Sequence, residues 1–80
     1  MDRNQILLDI QSILRDILED EEINITEDTK AIDIQGWDSL AHINIVENVE
    51  RKFNVKFSIG EIVNLKNISD MITLIQNKLS

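Results

Sequence analysis

Eighty residues, 42% hydrophobic but only 4% aromatic, form one small unit near the lower limit at which an unaided core holds a fold together. The absence of cysteine excludes disulfide stapling, thiolate metal sites and cysteine catalysis. The net charge of −7 argues against nucleic-acid binding, which needs a basic footprint to release counterions from phosphates.

No apolar stretch approaches the length of a bilayer span. The amino-terminal segment lacks the basic-then-apolar pattern of a signal peptide. Residues 1–80 are therefore expected to make a single monomeric, cytoplasmic domain without membrane insertion. With so few aromatics, its core must be aliphatic, and Ile is the recurring choice.

Residues 4–19 read as a helix. Ile6, Leu7, Ile10, Ile13, Leu14, Ile17 and Leu18 follow the i, i+3/i+4, i+7 spacing of one apolar face. Asp2 or Asn4 suits the cap at its start. The cluster Asp20-Glu21-Glu22 opposes the negative end of a helix dipole, so the helix is expected to stop there. Residues 20–37 show no sustained period. A loop of that length is usually functional, and Ile23, Ile25, Ala31, Ile32 and Ile34 are expected to tack it onto the helices.

A second helix is expected over residues 38–52, with Asp38 as N-cap and Ser39 at the first helical position. Its predicted stripe is Leu40, Ile43, Val46 and Val49, widened by Ile45 and Phe53. Residues 53–59 alternate like a strand that has no partner. They are read as an extended connection burying Phe53, Val55 or Phe57, and Ile59. A short helical turn is predicted over residues 61–65. Asn67-Ile68-Ser69-Asp70 resembles a capping box opening a last helix with Ile68, Met71, Ile72, Ile75 and Leu79 on one face. The sum is an all-α fold, a four-helix bundle of three main helices and one short one.

Charge is unevenly spread. Residues 1–19 carry four acids and two bases, residues 20–38 seven acids and one base, and residues 39–80 four acids and five bases. Acid is thus crowded just before Ser39. The acids of residues 20–28 lack the D-x-[DN]-x-[DN]-G spacing of a calcium loop and are read as solvating groups, so no metal site is expected.

Gly36-Trp37-Asp38-Ser39-Leu40 stands where that acidic stretch meets the second helix. A serine hydroxyl there protrudes, and the helix dipole with its free amides favours an attached phosphodiester anion. Gly36 leaves room for an approaching backbone. Asp38 caps the helix and offers a carboxylate that can help a partner hold Mg²⁺. No general base adjoins Ser39 in sequence. That makes a nucleophilic enzyme a poor reading, since His42 is the one imidazole in the chain.

The segment resembles the D-S-L attachment motif of the acyl carrier protein family, and the order of predicted helices over the whole chain is similar to that family's layout. The resemblance implies a carrier without catalytic activity of its own. Ser39 would hold 4′-phosphopantetheine transferred from coenzyme A, and acyl groups would ride on its thiol as thioesters. The partners implied are a phosphopantetheinyl transferase and acyl-loading and acyl-processing enzymes of a fatty acid, polyketide or other specialised pathway. Asp38, Gly36 and Leu40 would support the attachment, and Trp37, Leu40, Ala41, His42, Glu47 and Glu50 would face partners.

The chain also departs from carriers of primary fatty acid synthesis. Within residues 40–52 the charges of Glu47, Glu50, Arg51 and Lys52 cancel, and Ala41 and Asn44 stand where such carriers often have acids. Trp37 and the run Leu40-Ala41-His42-Ile43 look more like stand-alone carriers dedicated to one pathway. The competing reading is an unmodified helical adaptor that docks a partner through the second-helix surface.

Overall fold

Helix capping fixes where each element starts. The Asp2 carboxylate accepts the Gln5 N–H at 2.7 Å and opens α1, Arg3–Ile17. Asp38 opens α2, Ser39–Phe53, and Asn67 opens α4, Ile68–Leu79. Between the last two, Ser58 and Glu61 form a reciprocal capping box that starts the short α3, Ile59–Val63. The computed structural model describes residues 1–80. It has these four helices, one 3₁₀ turn at Ala31–Asp33 within the long connection, and no strand. The all-α bundle expected from the sequence is the fold found.

No helix ends on glycine, and two close through a left-handed residue of another type. After α1, Glu19 takes φ 52°, and Asp20 N–H donates back to Arg15 O. After α2, Asn54 takes φ 56°, and Val55 N–H donates to Glu50 O. Both are left-handed closures that satisfy free carbonyls of the last turn. The acidic cluster follows the first of them, and α1 stops at Ile17, two residues before the expected end.

The core lies between the long helices. Ile6, Ile10 and Leu14 of α1 meet Ile45, Val46, Val49 and Phe53 of α2, and Ile68, Met71, Ile72 and Ile75 of α4. No polar or charged residue is buried. Each such aliphatic side chain contributes about 1.5–3 kcal/mol relative to exposure, a sizeable share of a small domain's total stability. Val55 and Phe57 are both buried, so the connection after α2 alternates inward as expected.

The long connection is pinned at several points. Ile23 and Ile25 are buried. Arg15 Nε donates to Ile23 O at 2.7 Å, and Gln11 Oε1 accepts the Ile25 N–H at 2.9 Å. Further on, the Glu27 and Thr29 carbonyls accept the Ser69 and Ile68 N–H groups, which are first-turn donors of α4 lacking intrahelical partners. Arg3 adds a side-chain hub: it donates to Glu27, Ser69, Thr73 and Gln76. The start of α1, the connection and α4 are thereby tied together.

Several expectations fail, each for a tertiary reason. Leu40 and Ile43 are 71% and 54% exposed, because the face of α2 that meets α1 runs through Ile45, Val46 and Val49. Ile32 is 89% exposed, since the 3₁₀ turn aims it away from the helices. Ile59 is 81% exposed because it begins α3 rather than ending an extended segment. Leu79, the last residue of α4, is 42% exposed because the helix ends there with nothing packed over it. The capping box at Asn67 is only half made: Asn67 accepts the Asp70 N–H, while the Asp70 carboxylate accepts from Lys66 N–H instead of Asn67.

Candidate functional site at the start of the second helix

The connection turns abruptly into α2. Gly36 has φ +91°, a backbone region that L side chains rarely adopt. A Cβ there would meet Leu18 Cδ2 at 3.6 Å, an ordinary contact, so the torsion rather than crowding demands glycine. To the clearance expected of Gly36 is added this conformational requirement. Asp38 then caps the helix as expected: Oδ1 accepts the Ala41 N–H at 2.8 Å, and its carbonyl accepts the His42 N–H at 2.9 Å.

Ser39 follows as the first residue of α2 and is exposed. Its hydroxyl makes no hydrogen bond within the protein, and the N–H groups of Ser39 and Leu40 are also free. An outward hydroxyl beside two free amides at a positive helix end suits a covalently attached phosphodiester. The donor set therefore fits phosphopantetheine. Beside the serine lies an open groove walled by Ala31, Trp37, Asp38 and His42. No group of three or more His, Cys, Asp or Glu side chains is arranged to hold a metal ion.

His42 is not a free base. Its Nδ1 accepts the Trp37 Nε1–H at 3.0 Å, and its Nε2 lies 3.4 Å from Ile62 O on α3. Both ring nitrogens are committed away from Ser39, so the activation that a nucleophilic serine requires is missing. Trp37 is half-buried, stacked on His42 with ring centroids 5.9 Å apart.

The residues expected to face partners divide into two groups. Leu40 and Glu47 are exposed. Ala41 is half-buried and packs on the core, and Glu50 is half-buried with its Oε2 accepting the Phe57 N–H at 2.7 Å. Glu50 thus anchors the connection to α3. Sequence reasoning missed the exposed aliphatics Ile32, Ile59 and Val63. It also missed α3's start, although Ser58 and Glu61 have the S-x-x-E spacing of a capping box.

Two carboxyls are held below the usual carboxylate range. For Glu27 the main cause is hydrogen bonding from Arg3. For Glu61 it is the Ser58 backbone N–H, followed by Lys78, whose Nζ lies 3.1 Å away. The first steadies the connection that leads to Ser39, and the second holds α3 against α4.

A family model described as "Phosphopantetheine attachment site" matches residues 9–75. The acyl carrier protein of Thermotoga maritima is 31% identical over 77 residues, covering 96% of this chain and 95% of that protein. That of Exiguobacterium sibiricum is 32% identical over 79 residues, covering 99% of this chain and 100% of that protein. The solution NMR structure of a holo acyl carrier protein from Geobacter metallireducens is similar with a TM-score of 0.85 at 38% identity. The match covers 92% of this chain and 85% of that one. The motif around Ser39, the helical layout and these matches agree, and the chain belongs to the acyl carrier protein family.

Proposed function

We propose that Ser39 Oγ is the atom through which this carrier holds 4′-phosphopantetheine, the group whose terminal thiol carries acyl intermediates as thioesters. The observation that carries the reading is the exposed Ser39 hydroxyl, without an internal hydrogen bond, at the first position of α2. Asp38 fixes the helix start so that the hydroxyl stands out, and the left-handed turn at Gly36 directs the chain into it. The free amides of Ser39 and Leu40 favour the phosphodiester anion.

Partners of this class are a phosphopantetheinyl transferase and acyl-loading and acyl-processing enzymes, in the cytoplasm where coenzyme A is supplied. Leu40, next to the serine, and Glu47, further along α2, offer them exposed side chains. Incubating the apo protein with coenzyme A, Mg²⁺ and a broad-specificity transferase is expected to add the mass of one phosphopantetheine. Ser39→Ala is expected to abolish the gain. An unchanged wild-type mass with several active transferases would turn the weight to an unmodified adaptor.

The carrier reading extends to a dedicated pathway rather than primary fatty acid synthesis. Its support is the cancelled charge on α2, since long-range steering of partners scales with such patches. Binding of its enzymes is expected to depend only weakly on salt, and complete replacement of a housekeeping fatty acid carrier in cells would contradict it.

A further inference from the structure

The bundle is closed beside Ser39 by one hydrogen-bonded pair. Trp37 Nε1–H donates to His42 Nδ1 at 3.0 Å, with the ring planes 28° from parallel. Because Nδ1 accepts, the imidazole proton sits on Nε2, which faces the Ile62 carbonyl at 3.4 Å. One run of contacts therefore links the connection, α2 and α3.

Trp37, His42 and Ala31 line both the open groove at Ser39 and an inner gap that reaches Leu65 and Met71. That gap measures about 20 Å³, room for about one water. Beyond it the core side chains Met71, Ile72 and Ile75 are essentially inaccessible to solvent. The roomier groove between α3 and α4 is lined by Leu65 and Leu74 as well as Glu61, Asn64, Asp70 and Asn77, and no residue of α2 lines it. The gap is too small for an alkyl chain, and the groove is an open one that does not border α2, where the chain would be tethered.

We infer that Trp37 and His42 form a plug that keeps the acyl cargo outside the bundle. The inference rests on Ser39 being the attachment point. Entry of a chain requires the His42–Ile62 link to open, and α3 is the wall suited to move. It has five residues, Ile59 and Val63 face solvent, and its outside ties are the Lys78–Glu61 ion pair, the His42 link and half-buried Ile62. Short or polar acyl groups, which lose little by remaining in water, are the cargo class that suits a plugged carrier.

The test loads acetyl and octanoyl groups from their coenzyme A thioesters with a transferase. Intact mass must first show one acyl-phosphopantetheine, absent in Ser39→Ala. A failure at this loading step rejects the attachment reading, whereas the plug is judged on cleavage rates alone. Thioester cleavage by hydroxylamine is then timed, each acyl group being normalised to its coenzyme A thioester. In the wild type the two normalised rates are expected to agree within about twofold, as for cargo that stays outside nearly all the time. The methyl NMR signal of Met71, the only methionine besides Met1, is expected to keep its position on octanoyl loading. His42→Ala or Trp37→Ala is expected to slow octanoyl cleavage by about fivefold or more and to move the Met71 signal, acetyl cleavage being unaffected.

Wild-type protection of the octanoyl thioester by about fivefold or more, with a displaced Met71 signal, would overturn the plug. So would unchanged octanoyl rates in both variants when circular dichroism shows them folded. Should both variants unfold, the wild-type comparison decides alone.

Discussion

Replacing Asp38 by Ala removes the carboxylate oxygen that accepts the Ala41 N–H at 2.8 Å. The bond is single and exposed, so its loss is that of an ordinary N-cap, about 1 kcal/mol. Removing the charge from the positive helix end adds about 0.3–1 kcal/mol at low salt. For a domain of this size, each 1 kcal/mol lowers Tm by about 4–8 °C. Asp38→Asn keeps an acceptor oxygen and loses only the charge, so it is expected to retain most of the stability. Urea unfolding followed by circular dichroism measures both variants.

The rate of coenzyme A-dependent mass gain then separates capping from chemistry. If the carboxylate also helps a transferase hold Mg²⁺, Asp38→Asn should be modified about 10–100-fold more slowly while remaining folded. An Asn variant as unstable as the Ala variant would refute the cap. An Asn variant modified at the wild-type rate would refute the metal-side role and leave Asp38 as a cap alone.

The two glycines are expected to respond with opposite signs. Gly36→Ala forces a side chain onto φ +91° and should cost about 1 kcal/mol or more, whereas Gly60→Ala lies in α3 with open space around its new methyl and should gain about 0.5–1 kcal/mol. Equal changes in urea midpoint would contradict this account of the turn. Acid should also weaken the fold through Glu27 and Glu61. Both carboxyls bind protons less readily folded than unfolded, so their stabilisation is present above the ordinary glutamate pKa of about 4.3 and is lost as pH falls through it and on through the lower folded values. Urea midpoints measured from neutral pH into that range should fall less steeply for Glu27→Gln than for the wild type. Identical slopes would mean that the Arg3–Glu27 contact contributes nothing to acid sensitivity.

Local signals in this chain were readable at most of the places where the interaction spans one helical turn. Asp2 and Asp38 cap the residues three positions on, and the apolar spacing of α1 and α4 reports their buried faces. The α2 stripe misled because Leu40, Ile43, Val46 and Val49 have a regular three-residue spacing. An α-helix turns once in 3.6 residues, so that row drifts around the helix and off the contact face. Its first half reaches solvent next to Ser39, and its second half reaches the core. Ser58 and Glu61 did carry a legible cap, masked by the strand-like alternation of residues 53–59.

What the sequence determined by itself is the position and chemistry of the attachment candidate. A cap, a glycine and a serine within four residues dictate a helix start with an outward hydroxyl, because such geometry depends on neighbours alone. Only the tertiary structure decided what surrounds that serine. The Trp37–His42–Ile62 run, the Glu50 anchor on Phe57 and the reach of Arg3 to Glu27 and Gln76 join residues brought together by packing. Hydrogen-bond partners of that kind are chosen by which faces meet in the folded chain, and no local spacing encodes them.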